Sequence, residues 1–442
     1  MHTIKLCIIE STEVKRLKQL ILLASIPLII SCSQDKEDSA SSLNTIAQDY
    51  VRLGLFIGQY DTDFVDAYYG PDSLKPKTKP ELFPKDSVLS AIAGMRKQLD
   101  QLIARGNDST SVRAKWMSGQ LTAFTRRVKI FTGEYGTFDE ESTDLFGVKA
   151  PEYPASHYEA LIDSLDKTLP GSGSVQDRFQ ALANRFIIPK AKLDTVFKTT
   201  IAEARARTLA HYKLPAEEKF SLEYVTNKSW SGYNWYKGNY TSEIQINTDI
   251  QIFIERAIDV GSHESYPGHH VYNMLLEKNL YRDKGWVEIS LYPLFSPQSF
   301  IAEGSANYGI ELAFPGQDKV RFSKEVILPL AGLDTAGIGL YFKALSIRGK
   351  LNYARNEAGR GIVNATMNDE QALDWLKKYC LYNEETALKS ISFIKKYRSY
   401  VINYNYGQDV VKSYIEKGAA NGHWDVFSNL LSNPVSPRDL IK

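Results

Sequence analysis

The sequence predicts a mainly α fold with a small antiparallel β element placed just before its most histidine-rich stretch. Three observations carry this. Apolar residues recur every three or four positions through most of the chain, as at Val88, Ile92, Met95, Leu99 and Leu102, which lines them along one helix face. Phe220 to Val225 and Thr241 to Asn247 instead alternate apolar and polar residues, with the turn signal Lys237-Gly238-Asn239 between them, as in two or three short strands. Proline- and glycine-rich clusters such as Pro170-Gly171-Ser172-Gly173-Ser174 separate the helical stretches.

At 442 residues, 43% hydrophobic and 24% charged, the chain has a globular composition and ample material for a core. Its 53 basic and 52 acidic side chains nearly cancel. Residues 1–31 hold four of the bases and two of the acids, so the remainder carries 49 against 50. Near-neutrality argues against nucleic acid as the main partner.

In chain order, Lys15, Arg16 and Lys18 precede an apolar run from Leu20 to Ile30, too short to span a bilayer but suited to an export signal. Ile29-Ile30-Ser31-Cys32 is similar to a bacterial lipobox, and the acidic segment after it resembles the tethers of lipoproteins exported to the outer membrane. The expected organisation is a signal peptide over 1–31, a lipidated Cys32 opening a flexible tether over 32–43, and a folded body over 44–442. That body divides into a helical half (44–215) and a catalytic half (216–442). Only Cys380 remains in the body, so no intrachain disulfide is available.

Helices are expected over Asn44 to Phe56, Ser87 to Arg105, Arg113 to Phe131, Ala155 to Lys167, Val175 to Phe186 and Leu193 to His211. Asp61 to Pro71 reads as the way into a proline-rich loop. After the strands, Ile250, Phe253, Ile254, Ala257, Ile258 and Gly261 lead a further helix into His263. Ser296-Pro297 supplies a capping serine and a first-turn proline to the helix bearing Glu303. Leu328 to Asn356, Asp369 to Leu381, Glu384 to Tyr397 and Gln408 to Glu416 read as helical too.

The chemistry concentrates in Gly261-Ser262-His263-Glu264-Ser265-Tyr266-Pro267-Gly268-His269-His270. On a regular helix, histidines at i and i+4 meet one ion, and a glutamate beside the first meets the ion's water. Here Pro267-Gly268 interrupts that spacing. If these two residues bulge out of the helix, His263 and His269 regain it and His270 is left for an accessory or substrate-facing role. Glu264 is then the general base, and Glu303, between two small residues on its own helix, is the best third ligand. Thr241–Asn247 is expected as an edge strand that pairs with an extended substrate backbone. Arg348, Arg355 and Arg360 suggest a carboxylate-binding role, against the plainer reading of exposed helix charge.

His263-Glu264-Ser265-Tyr266-Pro267-Gly268-His269 resembles the His-Glu-x-x-Pro-Gly-His signature of the bacterial domain-of-unknown-function 885 family, zinc-peptidase-like proteins of mainly helical fold. Phe300 to Tyr308 is similar to that family's Glu-Gly-Trp-Ala-x-Tyr block, with Ser305 in place of the tryptophan, and Tyr404-Asn405-Tyr406-Gly407 to its Tyr-x-x-Gly block. Asp63 to Pro71 is similar to N-terminal segments of some members. The resemblance implies a helical zincin-like domain of gluzincin type. It implies Zn²⁺ on His263, His269 and Glu303, Glu264 as base, and Tyr404 as a donor to the oxyanion. A peptide substrate and a membrane partner reached through lipidated Cys32 complete the expectation. The competing reading is a non-catalytic zinc-containing surface lipoprotein that binds peptides or glycans.

Overall fold

The computed structural model describes residues 41–441 apart from 106–108, 229, 419 and 421. The export signal, Cys32 and the tether up to residue 40 lie outside these. Helix α1 (41–58) starts inside the expected tether, and its Leu43 is already buried.

Strand β1 (Val65–Tyr68) follows, then helices α2 (Lys85–Ala104), α3 (Ser109–Phe131), α4 (Phe138–Phe146), α5 (Ala155–Thr168), α6 (Val175–Ala183) and α7 (Leu193–Leu209). The second half begins with β2 (Lys219–Val225), β3 (Gly232–Gly238) and β4 (Thr241–Asn247), then α8 (Ile254–Glu264), α9 (His269–Leu276), β5 (Leu291–Pro293) and α10 (Pro297–Ala313). It closes with α11 (Asp318–Phe322), α12 (Leu328–Ala331), α13 (Ile338–Lys350), α14 (Tyr353–Val363), α15 (Asp369–Tyr379), α16 (Glu384–Tyr397), α17 (Ile402–Lys417), α18 (His423–Leu431) and α19 (Pro437–Leu440). The fold is mainly α.

Helix α10 is the axis of the molecule. Ser296 caps it by accepting from the Ser299 amide, Pro297 occupies its first turn, and most of its residues are buried. It packs against α3, α4, α7, α8, α9, α17 and α18. Gly304 and Gly407 let α10 and α17 approach backbone to backbone, since a methyl group on Gly304 would strike the Gly407 carbonyl.

Several sequence expectations are corrected by tertiary contacts. Val65–Tyr68, expected to lead into a loop, pairs antiparallel with β5 across more than 220 residues of chain. The connection after Phe131 holds α4, nucleated by a reciprocal cap between Thr137 and Glu140. The stretch from Leu328 to Asn356 is broken at Gly332 and Gly337, both with positive φ, 72° and 83°. Helix α17 starts at Ile402, so Tyr404 lies in its first turn.

The β element also differs in detail. Its strand order is β2-β4-β3, with β3 antiparallel and β2 parallel to β4. Strand β4, expected at an edge, is therefore central and has no free side. The edges facing away from β4 belong to β2 and β3, and of these β3 packs on α8.

Candidate metal centre

Helix α8 does not bulge at Pro267; it ends at Glu264, and α9 begins at His269. The four residues between them fold back onto the end of α8. The Gly268 amide donates to the Ser262 carbonyl at 3.2 Å, and a side chain at 268 would overlap the His263 carbonyl. This turn brings His269 Nε2 to 3.1 Å from His263 Nε2. The expected outcome stands, reached by a helix break rather than a bulge.

Three donor atoms converge there. Nε2 of His263 and Nε2 of His269 are 3.1 Å apart, and Glu303 Oε2 lies 3.4 Å from the first and 3.8 Å from the second. Three donors held tetrahedrally at zinc-like bond lengths stand about 3.3 Å from one another. The measured separations bracket that value. Glu303 Oε2 is buried without a hydrogen-bond partner, which leaves a lone pair facing the two imidazoles. These three residues form a group that could hold a metal ion.

Neighbouring groups orient two of the three, His263 and Glu303. The Asn307 amide nitrogen donates to the Tyr404 carbonyl at 3.0 Å, so its oxygen faces His263 Nδ1, also at 3.0 Å. Nδ1 must then carry the proton, and Nε2 presents a lone pair to the site. Tyr400 donates to Glu303 Oε1 at 3.0 Å, which turns Oε2 toward the imidazoles. Burial acts to raise the Glu303 pKa, but His263 and His269 hold it well below the usual carboxylate range.

Glu264 is 6% exposed, and burial pushes its pKa up to about 7 against the opposing pull of His263. Its backbone carbonyl accepts from the Asn234 side chain at 2.6 Å. A methyl group on Gly232 would come within 3.3 Å of its carboxylate, so glycine there lets β3 lie close against the base. The Tyr404 phenol, half-buried, has no hydrogen-bond partner among the described residues and lies within electrostatic reach of Glu303 and Glu264. Burial, then Glu303, keep that phenol protonated.

His270 is fully buried, and both of its ring nitrogens are engaged outside the three converging donors, which leaves it the accessory role. Its Nδ1 meets Ser242 Oγ at 2.8 Å and its Nε2 meets Glu218 at 3.1 Å. Glu218 also accepts from Tyr266 and Arg205, so this network clamps the α8–α9 turn to β4 and α7. Burial would raise the Glu218 pKa, but His270, Tyr266 and Arg205 draw it down to about 2.

The sequence reading missed Asn307, Tyr400, Glu218 and Asp66. Asn307 follows Glu303 by one helical turn, a local signal that could have found it. Asp66 on β1 accepts from Tyr233 and senses the charges of His269 and Glu303, a placement created only by folding.

No protein-family model matches this chain, and no curated protein does. Among solved structures, a lipoprotein candidate from Colwellia psychrerythraea superposes with a TM-score of 0.52 at 13% identity, over 81% of this chain and 68% of that one. The two share a fold. Trypanosoma cruzi metallocarboxypeptidase 1 aligns over 90% of each chain at 11% identity with a TM-score of 0.35, too low for the likeness to carry an argument.

Proposed function

We propose that this protein is a zinc-dependent peptidase of the domain-of-unknown-function 885 type, carried on a lipoprotein of the bacterial envelope. The observation that carries the reading is the near-tetrahedral spacing of His263 Nε2, His269 Nε2 and the orphaned Glu303 Oε2, with Glu264 one residue from the first ligand. Two imidazoles and one carboxylate suit zinc, which when bound supplies a Lewis acid for a water and a carbonyl.

The protein's own residues do the rest. Glu264, shifted toward neutrality by its buried setting, accepts a proton from the attacking water as the water oxygen bonds to the scissile carbonyl carbon. The same carboxyl then passes that proton to the nitrogen as the C–N bond breaks. Tyr404 donates its phenolic proton in a hydrogen bond to the oxyanion that develops on the substrate. Substrate backbone is served by β3. The Ser231 carbonyl accepts from Asn247 on β4, so by strand alternation Gly232 and Asn234 turn their amides and carbonyls outward beside Glu264.

The test is a peptide-library digest combined with metal analysis. One zinc per chain is expected, lost in His263→Ala and His269→Ala. Glu264→Gln should keep the metal and lose about 10²–10⁴-fold in rate. Zinc content indifferent to the histidines removes the metal site; products that persist in Glu264→Gln remove the base. A metal-loaded protein that cleaves no peptide leaves the binding lipoprotein.

The envelope address rests on Lys15 to Cys32. Among the described residues no helix is long and apolar enough to cross a membrane. Cys32→Ala should move the protein from the membrane to the soluble fraction; an unchanged distribution overturns the anchor.

A further inference from the structure

Close to Tyr404 lies a cation that forms no ion pair among the described residues. Of the three arginines on α13 and α14 that suggested carboxylate binding, Arg360 is ion-paired with Asp139 and Glu357, and Arg348 lies over the Phe179 ring. Neither Arg348 nor Arg355 forms an ion pair among the described residues, but of these two only Arg355 is among the charges that act on the Tyr404 phenol. Arg355 is half-buried on α14 and stacks over Phe393 at 4.6 Å. Its Nε donates to Ser390 Oγ at 3.0 Å, which leaves both Nη groups available.

Aromatic contacts connect this guanidinium to the metal ligands. The Phe393 ring lies 6.3 Å from that of Tyr404, and the Tyr404 ring lies 5.7 Å from that of Tyr400, which holds Glu303. The Tyr404 phenol thus senses Glu303 and Glu264 as well as Arg355. A half-buried guanidinium without a counter-ion carries an uncompensated desolvation cost, and its planar fork matches the two oxygens of a carboxylate. Arg205 and Arg256 are half-buried near the site too, but Arg205 is ion-paired with Glu218. Arg256 donates to Ser231 and draws down the pKa values of Glu255 and Glu264, so carboxylates already answer its charge.

Resting on the peptidase reading above, we propose that Arg355 anchors the free C-terminal carboxylate of the substrate, so that the enzyme removes residues from the C-terminal end of peptides. The two Nη groups bind the carboxylate, while Ser390 and Phe393 hold the guanidinium plane. The residues preceding the carboxylate then run past Tyr404 toward Glu264 and the metal ligands.

The experiment compares N-acetylated peptides as free acids and as matched C-terminal amides, using zinc-loaded full-length protein. Mass spectrometry should show stepwise loss from the C-terminus of the acids, and kcat/KM for the amides should be about 10²-fold lower. Arg355→Gln should raise KM for the acids by a similar factor and abolish the discrimination with zinc content unchanged, whereas Arg256→Gln should preserve it. Equal cleavage of acids and amides, internal cleavage, or undiminished discrimination in Arg355→Gln overturns the anchor and leaves the peptidase reading intact. If no peptide is cleaved, the peptidase reading fails by itself. Calorimetry on Glu264→Gln protein with an acetylated dipeptide acid and its amide then decides the anchor: tighter acid binding that disappears in Glu264→Gln/Arg355→Gln supports it, and equal or absent binding overturns it.

Discussion

His263 offers its lone pair at Nε2 because Asn307 takes the proton side of the ring, and Asn307 is itself held by the Tyr404 carbonyl. Removing that hold leaves the imidazole free to change tautomer and rotate. Asn307→Ala is expected to weaken zinc binding by about 10–100-fold in a chelator competition, while Asn307→Asp, which keeps the acceptor, should lose less. Equal affinity in the alanine variant and the parent would exclude the orienting role. At this scale the local motif was readable: His263, Glu264 and His269 announce themselves by spacing. Glu303 was marked by its small neighbours Ala302 and Gly304, and the resemblance separated it further from a surface acid. For His270 the sequence left an accessory or a substrate-facing role open, since adjacency in sequence says nothing of direction; its ring points to Ser242 and Glu218, which fits the accessory one.

Among the elements, the α10–α17 contact couples Glu303 and Asn307 on one helix to Tyr404 on the other. It depends on two glycines. Alanine at 304 would collide with the Gly407 carbonyl, whereas alanine at 407 would sit 3.2 Å from the Phe300 carbonyl. Gly304→Ala should therefore cost about 1–3 kcal/mol in denaturant unfolding and loosen zinc binding, with Gly407→Ala milder in both. The reverse order would mean that the helices separate freely. Long amphipathic helices such as α2 were legible because their apolar residues repeat over several turns. Strand β1 and helix α4 were not, since four and nine residues carry too few repeats and exist by virtue of a distant partner or a cap. The same limit explains the α8–α9 turn: proline and glycine signal an interruption but not its shape.

Over the whole molecule, stability should respond to buried carboxyls away from the metal site. Glu255, buried near the start of α8, accepts from Tyr341 at 2.9 Å, and burial pushes its pKa up to about 7 from an ordinary 4.5. Burial has the same effect on Glu357. A carboxyl with a raised folded pKa holds its proton more tightly in the folded chain, so stability falls as pH rises from about 4.5 through 7. Glu255→Gln keeps an acceptor for Tyr341 and has no proton to lose. It should gain about 1–3 kcal/mol over the parent at pH 8 and little at pH 4.5, read from denaturant midpoints. A difference independent of pH would show that Glu255 is ionised in the folded protein without penalty.

By itself the sequence determined the helical class, the place of the β element and the metal-binding character of the His263–His269 stretch. Each is written within a few turns of chain, as periodicity, spacing or composition. Only the tertiary structure decided that the motif helix breaks, that β3 rather than β4 offers the open edge, that Asn307 fixes the tautomer of His263, and that Arg355 stands unpaired beside Tyr404. Those outcomes depend on which surfaces meet across hundreds of residues. Side-chain direction, burial and missing counter-charges arise from that meeting, and no local pattern encodes them.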